Sequence, residues 1–143
     1  MSDDIRQRFI NEIKIRAFDD KYVDRTEEME ILKIAIGLNV DIDTARMALS
    51  QVCRMEGYAL EREIIDVVSA QLRAAAGNDG KVDETEFNMV TATVAQQVAH
   101  CPNMKAAQIK RLVLQQMDHM SITVKTGFFS DWHSKAKKEV GLA

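Results

Sequence analysis

The chain predicts an all-α protein, a single helical domain of two repeated three-helix units followed by a short C-terminal segment. Three observations carry that reading. Asp20-Lys21-Tyr22-Val23-Asp24-Arg25-Thr26-Glu27 returns as Asp79-Gly80-Lys81-Val82-Asp83-Glu84-Thr85-Glu86, a D-x-x-V-D-x-T-E frame with five identities at an offset of 59 residues. Apolar residues recur at helical spacing on both sides of each copy. The 143 residues hold one proline, and Ile122-Thr123-Val124 is the only β-like patch.

The elements follow in order. Ser2 or Asp3 caps a first helix whose stripe is Ile5, Phe9, Ile13 and Ala17. The acidic turn at 19–23 breaks it. Asp24 starts a second helix through Met29, Leu32, Ala35 and Ile36, ending near Gly37. After a loop at 38–43, Asp41 or Asp43 caps a third helix with Ala45, Leu49, Val52 and Cys53, closed by Gly57. The second half repeats the plan. Leu60, Ile64, Val67, Val68 and Leu72 mark a helix that ends at Gly77-Asn78-Asp79-Gly80. Asp83 begins the next, with Phe87, Val90, Val94 and Val98. His100-Cys101-Pro102-Asn103 interrupts the pattern, with Pro102 placed as a helix start tolerates it. A sixth helix carries Ile109, Leu112, Val113 and Met117. The repeat halves span about 3–57 and 59–119 of a duplicated domain, 1–120. Residues 121–143 form an aromatic and basic tail holding Phe128, Phe129 and Trp132, with Ser130 as a cap for a short lysine-rich helix.

Composition narrows the class. Hydrophobic content of 46% supports a packed core. A formal charge of -3 predicts no general attraction to nucleic acid. The charge is uneven: Lys125, Lys135, Lys137 and Lys138 against Asp131 and Glu139 leave the tail at +2 and the rest of the chain at -5. Cys53 and Cys101 read as buried small hydrophobes in a reducing compartment, not as a disulfide framework. The acidic start Ser2-Asp3-Asp4 is unlike a signal peptide, and no apolar run approaches the ~18 residues that span a bilayer. These features predict a cytoplasmic, soluble chain with no transmembrane segment.

The repeated turn admits two chemistries. D-x-x-E at a helix start is a capping box, Asp24 with Glu27 and Asp83 with Glu86, and Val23 and Val82 are placed as hydrophobic staples. Clustered carboxylates on a tight turn are also the oxygen ligands that calcium or magnesium takes. The second copy resembles part of an EF-hand loop. With Gly80 at the invariant glycine, Val82 fills the apolar position, Asp83 the water-linked ligand and Glu86 the closing glutamate. Ala75 and Gly77 then stand at the first two ligand positions without carboxylates. In the first copy those positions are Arg16 and Phe18, and Lys21 replaces the glycine.

Ala17-Phe18-Asp19-Asp20-Lys21-Tyr22-Val23-Asp24-Arg25-Thr26-Glu27 and Ala76-Gly77-Asn78-Asp79-Gly80-Lys81-Val82-Asp83-Glu84-Thr85-Glu86 together resemble the tellurite-resistance protein B (TerB-like) family. The resemblance covers residues 3–119 in pattern and these turns in identity. It implies a duplicated all-α fold, a cytoplasmic and often membrane-adjacent role in stress-response assemblies, and metal binding at Asp20, Asp24, Glu27, Asp79, Asp83 and Glu86. Lys21 departs from the family's usual glycine and would repel a cation.

Other chemistries find less footing. His100, Cys101 and His119 lack the paired spacing of a zinc site. No phosphate loop, G-x-G-x-x-G or G-x-S-x-G motif occurs. Met47, Met55, Met89, Met104, Met117 and Met120 sit at helical spacing and read as core, the alternative being an adaptable binding surface. The tail aromatics read as covering one end of the bundle, the alternatives being a protein partner or peripheral contact with a membrane surface. The sequence therefore predicts a non-enzymatic binding or scaffold protein with a protein partner and a divalent cation at its acidic turns. The competing readings are a helical interaction module whose D-x-x-E pairs are caps alone, and a metal-assisted hydrolase.

Overall fold

Carboxylate-capped starts and tight turns cut the chain into helices. The computed structural model describes residues 2–126 and 131–142, and these form seven helices and four two-residue strands. In chain order they are α1 (Asp3–Ala17), β1 (Tyr22–Val23), α2 (Arg25–Gly37), α3 (Ile42–Glu56), β2 (Ala59–Leu60), α4 (Glu61–Ala76), β3 (Lys81–Val82), α5 (Glu84–Gln97), α6 (Ala106–His119), β4 (Thr123–Val124) and α7 (Trp132–Glu139). The fold is all-α. The chain divides into two compact units: residues up to Arg62 with His100–Asn103, and Glu63–Ala99 with Met104 onward.

The first unit is built on α1, α2 and α3. Ser2 caps α1, its side chain accepting from the Ile5 amide, and Phe9, Ile13 and Ala17 turn inward. Ile31, Leu32 and Ala35 of α2 join them, with Ala45, Leu49, Val52 and Cys53 of α3. Asp41 caps α3 through the Thr44 amide. Gly57 ends it at φ 74, in the left-handed region where a Cβ is strained. β1 then pairs parallel with β2, Tyr22 opposite Ala59 and Val23 opposite Leu60. Val23 is fully buried, so the staple position is also a strand position.

In the second unit, α4 buries Ile64, Val68, Leu72 and Ala76. α5 buries Phe87, Val90 and Val94, and α6 buries Ile109, Val113, Leu114 and Met117. β3 pairs parallel with β4, Lys81 opposite Thr123 and Val82 opposite Val124. The patch Thr123–Val124 thus has a partner despite its length. Trp132, at the start of α7, is buried, with its ring centroid 5.2 Å from that of Phe87. Its indole N–H donates to the Lys125 carbonyl at 2.9 Å. The expected return of the tail onto the helices holds for Trp132, while Phe128, Phe129 and Ser130 lie outside the described residues.

Some inward positions differ from the sequence pattern. Met29 and Ile36 are 54% and 52% exposed, and Glu28 and Ile31 take the inner face of α2. Positions 28, 31, 32 and 35 form one helical stripe, and 29 and 36 are each a step of about 100° beyond it. Leu112 and Val67 are half-buried, with Leu114 inside. Pro102 lies in a turn ahead of Lys105, which occupies the N-cap position of α6. The core reading of the methionines holds for Met117, which is fully buried. It fails for Met47, Met55 and Met89, at 65%, 81% and 65% exposed. Ala45, Leu49, Val52 and Cys53 fill the inner stripe of α3, and Phe87, Val90 and Val94 fill that of α5. Cys53 and Cys101 are both buried and form no disulfide.

Candidate functional site: the two acidic turns

Each acidic turn is fixed by its own backbone. After α1, Lys21 adopts φ 57; after α4, Gly80 adopts φ 67. Both residues reverse the chain in the left-handed region, and the carboxylate just before each braces the reversal. The Tyr22 amide donates to Asp20 Oδ1 at 3.1 Å, and the Lys81 amide donates to Asp79 Oδ1 at 3.0 Å. The carbonyls of Lys21 and Gly80 then accept from the amides of Ala59 and Thr123, which brings β2 and β4 alongside.

Both predicted capping boxes are closed. The Glu27 amide donates to Asp24 Oδ1 at 2.8 Å and the Asp24 amide to Glu27 Oε1 at 3.1 Å. In the second copy the Glu86 amide donates to Asp83 Oδ1 at 2.7 Å and the Asp83 amide to Glu86 Oε1 at 3.1 Å. Each of the six candidate residues therefore has one carboxylate oxygen engaged by its own turn or helix start. Asp20, Asp24 and Glu27 belong to the first unit, and Asp79, Asp83 and Glu86 to the second.

The turns differ in what the closing strand delivers. Glu61 follows β2 directly, and its Oε2 accepts from the Arg25 amide at 3.1 Å. Lys125 follows β4 directly, and its Nζ lies 2.6 Å from Asp79 Oδ2. The Lys125 side chain first, and the Lys81 amide second, hold the Asp79 carboxyl below its ordinary range. Asp79 in turn raises Lys125, helped by the charges of Glu86 and Asp83. The second turn thus carries its own counter-cation.

Among the described residues, the first turn has none so placed. Lys21 turns away from the carboxylates: its Nζ donates to the Phe18 carbonyl at 3.0 Å and stands 5.3 Å and 5.8 Å from the ring centroids of Phe18 and Tyr58. Burial, followed by the charges of Glu61, Asp24 and Asp20, holds the Tyr22 phenol well above the ordinary phenol range. Burial also raises Glu27, against the lowering hydrogen bond from the Asp24 amide, and the charges of Asp24 and Asp20 add to the rise.

The two turns differ in the charge they would present to a cation. Among the described residues, no three carboxylate, imidazole or thiol groups gather into a set that could hold a metal ion. Calcium needs 6–8 oxygens, whereas magnesium keeps most of its water and takes one or two carboxylates. At the first turn Asp20, Asp24 and Glu27 bring negative charge without forming such a set. At the second turn Asp83 and Glu86 bring theirs beside the Lys125 ammonium. Sequence spacing named the six repeated carboxylates but neither Glu61 nor Lys125, since both arrive from a strand far along the chain.

Sequence reading also passed over Glu28. This carboxylate is 5% exposed, and Arg62 Nε donates to its Oε1 at 2.7 Å. The signal available was a glutamate on the apolar stripe of α2. Compared with family models, curated proteins and solved structures, the chain matches none. No helix among the described residues is long and apolar enough to cross a membrane.

Proposed function

We propose that this chain is a non-enzymatic binding or scaffold protein of the TerB-like kind its turns resemble, engaging a basic amphipathic helix of a protein partner through the first unit. The observation that supports this is the exposure of large apolar side chains at the last turns of α1 and α3. Those ends lie together: Lys14 Nζ pairs with Glu56 Oε1 at 3.4 Å, and Lys21 is shared between the rings of Phe18 and Tyr58. Around them Ile15, Phe18 and Met55 are 68%, 72% and 81% exposed. Large apolar side chains at this exposure suit an interaction surface, and methionine adapts to varied helical partners. The first unit holds thirteen carboxylates against ten Lys and Arg side chains, the second nine against nine, so the formal charge of -3 rests on the first. That sign favours a basic partner.

The test is titration of the protein into labelled amphipathic peptides of Leu with Lys and of Leu with Glu. Saturable binding of the Lys peptide alone, weakened about tenfold or more in Phe18→Ser/Met55→Ser, supports the proposal. Equal binding of both peptides, or an unaltered response in the double variant, rejects it.

A second reading has its own support, the contrast between Glu61 and Lys125. On this reading the first acidic turn attracts a largely hydrated divalent cation, magnesium or calcium, through one or two of Asp20, Asp24 and Glu27, with Glu61 adding negative charge. Thermal unfolding with each ion against a chelator tests it. An ion-specific rise in Tm that disappears in Asp20→Asn/Glu61→Gln supports the cation. A flat response leaves the turns as helix caps.

A further inference from the structure

In the second unit, α7 is fastened to α6. Lys137 Nζ lies 3.1 Å from Asp118 Oδ2, and Arg111 Nη1 donates to the Val140 carbonyl at 3.2 Å. Trp132 seats the start of α7 on Phe87. Between α5, α6 and α7 this leaves a cleft of about 370 Å³, near the lower end of the range for small-ligand sites. Phe87 and Trp132, each less than a tenth exposed, stand at its base and form an aromatic floor of small exposed area. Since the indole N–H is engaged by Lys125, the floor presents ring carbon.

The rim is ionic and of both signs. α5 contributes Glu84 and Asn88, α6 contributes Lys110, and α7 contributes Lys135 and Glu139. Two other lysines of the unit are paired, Lys125 with Asp79 and Lys137 with Asp118. Among the described residues, Glu84, Lys110, Lys135 and Glu139 join no ion pair. Two ammonium and two carboxylate groups from three helices therefore surround one aromatic floor.

That combination selects a ligand class. A polyanion such as a nucleotide would face Glu84 and Glu139. A long apolar chain would strip water from four charges without replacing it. A small zwitterion satisfies both signs, its carboxylate toward Lys110 and Lys135 and its ammonium toward Glu84 and Glu139, with an apolar body on the ring pair. We propose that this cleft binds a free amino acid or dipeptide with an aromatic or aliphatic side chain. The proposal is independent of the partner surface on the first unit.

Trp132 is the chain's one tryptophan and lies in the cleft floor, so its fluorescence reads the site directly. The full chain is titrated with L-phenylalanine and glycyl-phenylalanine, and with N-acetyl-phenylalanine amide as the charge-blocked control. The expected result is a saturable change for the two zwitterions and affinity at least about tenfold weaker for the control. Lys110→Met/Lys135→Met, with helicity checked by circular dichroism, is expected to weaken the zwitterions by a similar factor. Lys138→Met, outside the lining, is expected to bind as the parent does. Should the double variant lose helicity, Lys135→Met and Glu139→Gln, both exposed on α7, decide in its place. Absence of a saturable change up to about tens of millimolar, or equal affinity for the blocked compound or the folded lining variants, overturns the proposal.

Discussion

Lys125 closes on Asp79 at 2.6 Å, and it does so from the position directly after β4, as Glu61 stands directly after β2. One turn is thereby given a cation by its own chain and the other a further carboxylate. The frame D-x-x-V-D-x-T-E is the same in both, and this difference in closing charge comes from outside it. It reaches each turn through a two-residue parallel pairing.

The first prediction follows from that contact. The Lys125 ammonium first, and the Lys81 amide second, hold the Asp79 carboxyl below the ordinary aspartate range. A depressed carboxyl contributes stability that is present above the unfolded value and lost as pH falls through the folded one. Carboxyl-carbon NMR of the parent should place the Asp79 midpoint under 3.8, and Lys125→Met should move it upward. The variant should also respond more strongly to magnesium than the parent, since its second turn then lacks an ammonium. An Asp79 midpoint unmoved by the substitution would show the pair to be broken in solution.

The capping boxes give a second prediction. Asp24 and Asp83 each accept from the amide three residues on, at 2.8 Å and 2.7 Å. Replacement of either by Ala should lower stability by about 0.5–2 kcal/mol in urea unfolding, and replacement by Asn by less, because the amide oxygen still caps. Equal losses for Ala and Asn would mean that charge, not the hydrogen bond, carries the contribution.

Much of this local architecture was legible in the sequence for a simple reason: caps and stripes are short-range patterns. Asp24, Asp41 and Asp83 announce helix starts within three residues of themselves. Phe9, Ile13 and Ala17, or Phe87, Val90 and Val94, announce an inner face within three turns. Long-range partners leave no such mark. Nothing near Ala59 or Leu60 announces that they pair with Tyr22 and Val23, and a two-residue strand is too short to show alternation. The surface methionines were misread because helical spacing states that residues share a face without stating which face is inside. Asp20, Asp24 and Glu27 could be named as a set, but their charge balance depended on Glu61.

Two glycines at positive φ separate strain from crowding. A Cβ at Gly57 would stand 3.0 Å from the His100 carbonyl oxygen, whereas at Gly80 it would meet nothing within 4 Å. Gly80→Ala should therefore cost about 1–2 kcal/mol, the strain of a left-handed backbone alone. Gly57→Ala should cost more, as backbone must shift as well. Lys21, at φ 57, already bears that strain, so Lys21→Gly should fall within about 1 kcal/mol of the parent. Unfolding midpoints of the three variants rank these effects, and a Gly80→Ala loss as large as that of Gly57→Ala would contradict the assignment.

The last prediction concerns Glu28. Its side chain is 6% exposed and that of Arg62 is 30% exposed, so the pair is buried on one side only. Removing the guanidinium leaves a carboxylate among Ile31, Leu32 and their neighbours with its charge uncompensated. Arg62→Ala should then destabilise by about 2–4 kcal/mol, somewhat under the range for a fully enclosed pair because water reaches the arginine side. Glu28→Met/Arg62→Met removes both charges together and should recover part of that loss, since desolvation of the pair opposes its attraction. Single and double variants compared in urea form a cycle that isolates the coupling. A double variant no more stable than Arg62→Ala would show that the pair is worth more than its desolvation costs, and that α2 and the first turn of α4 are joined by charge more than by packing.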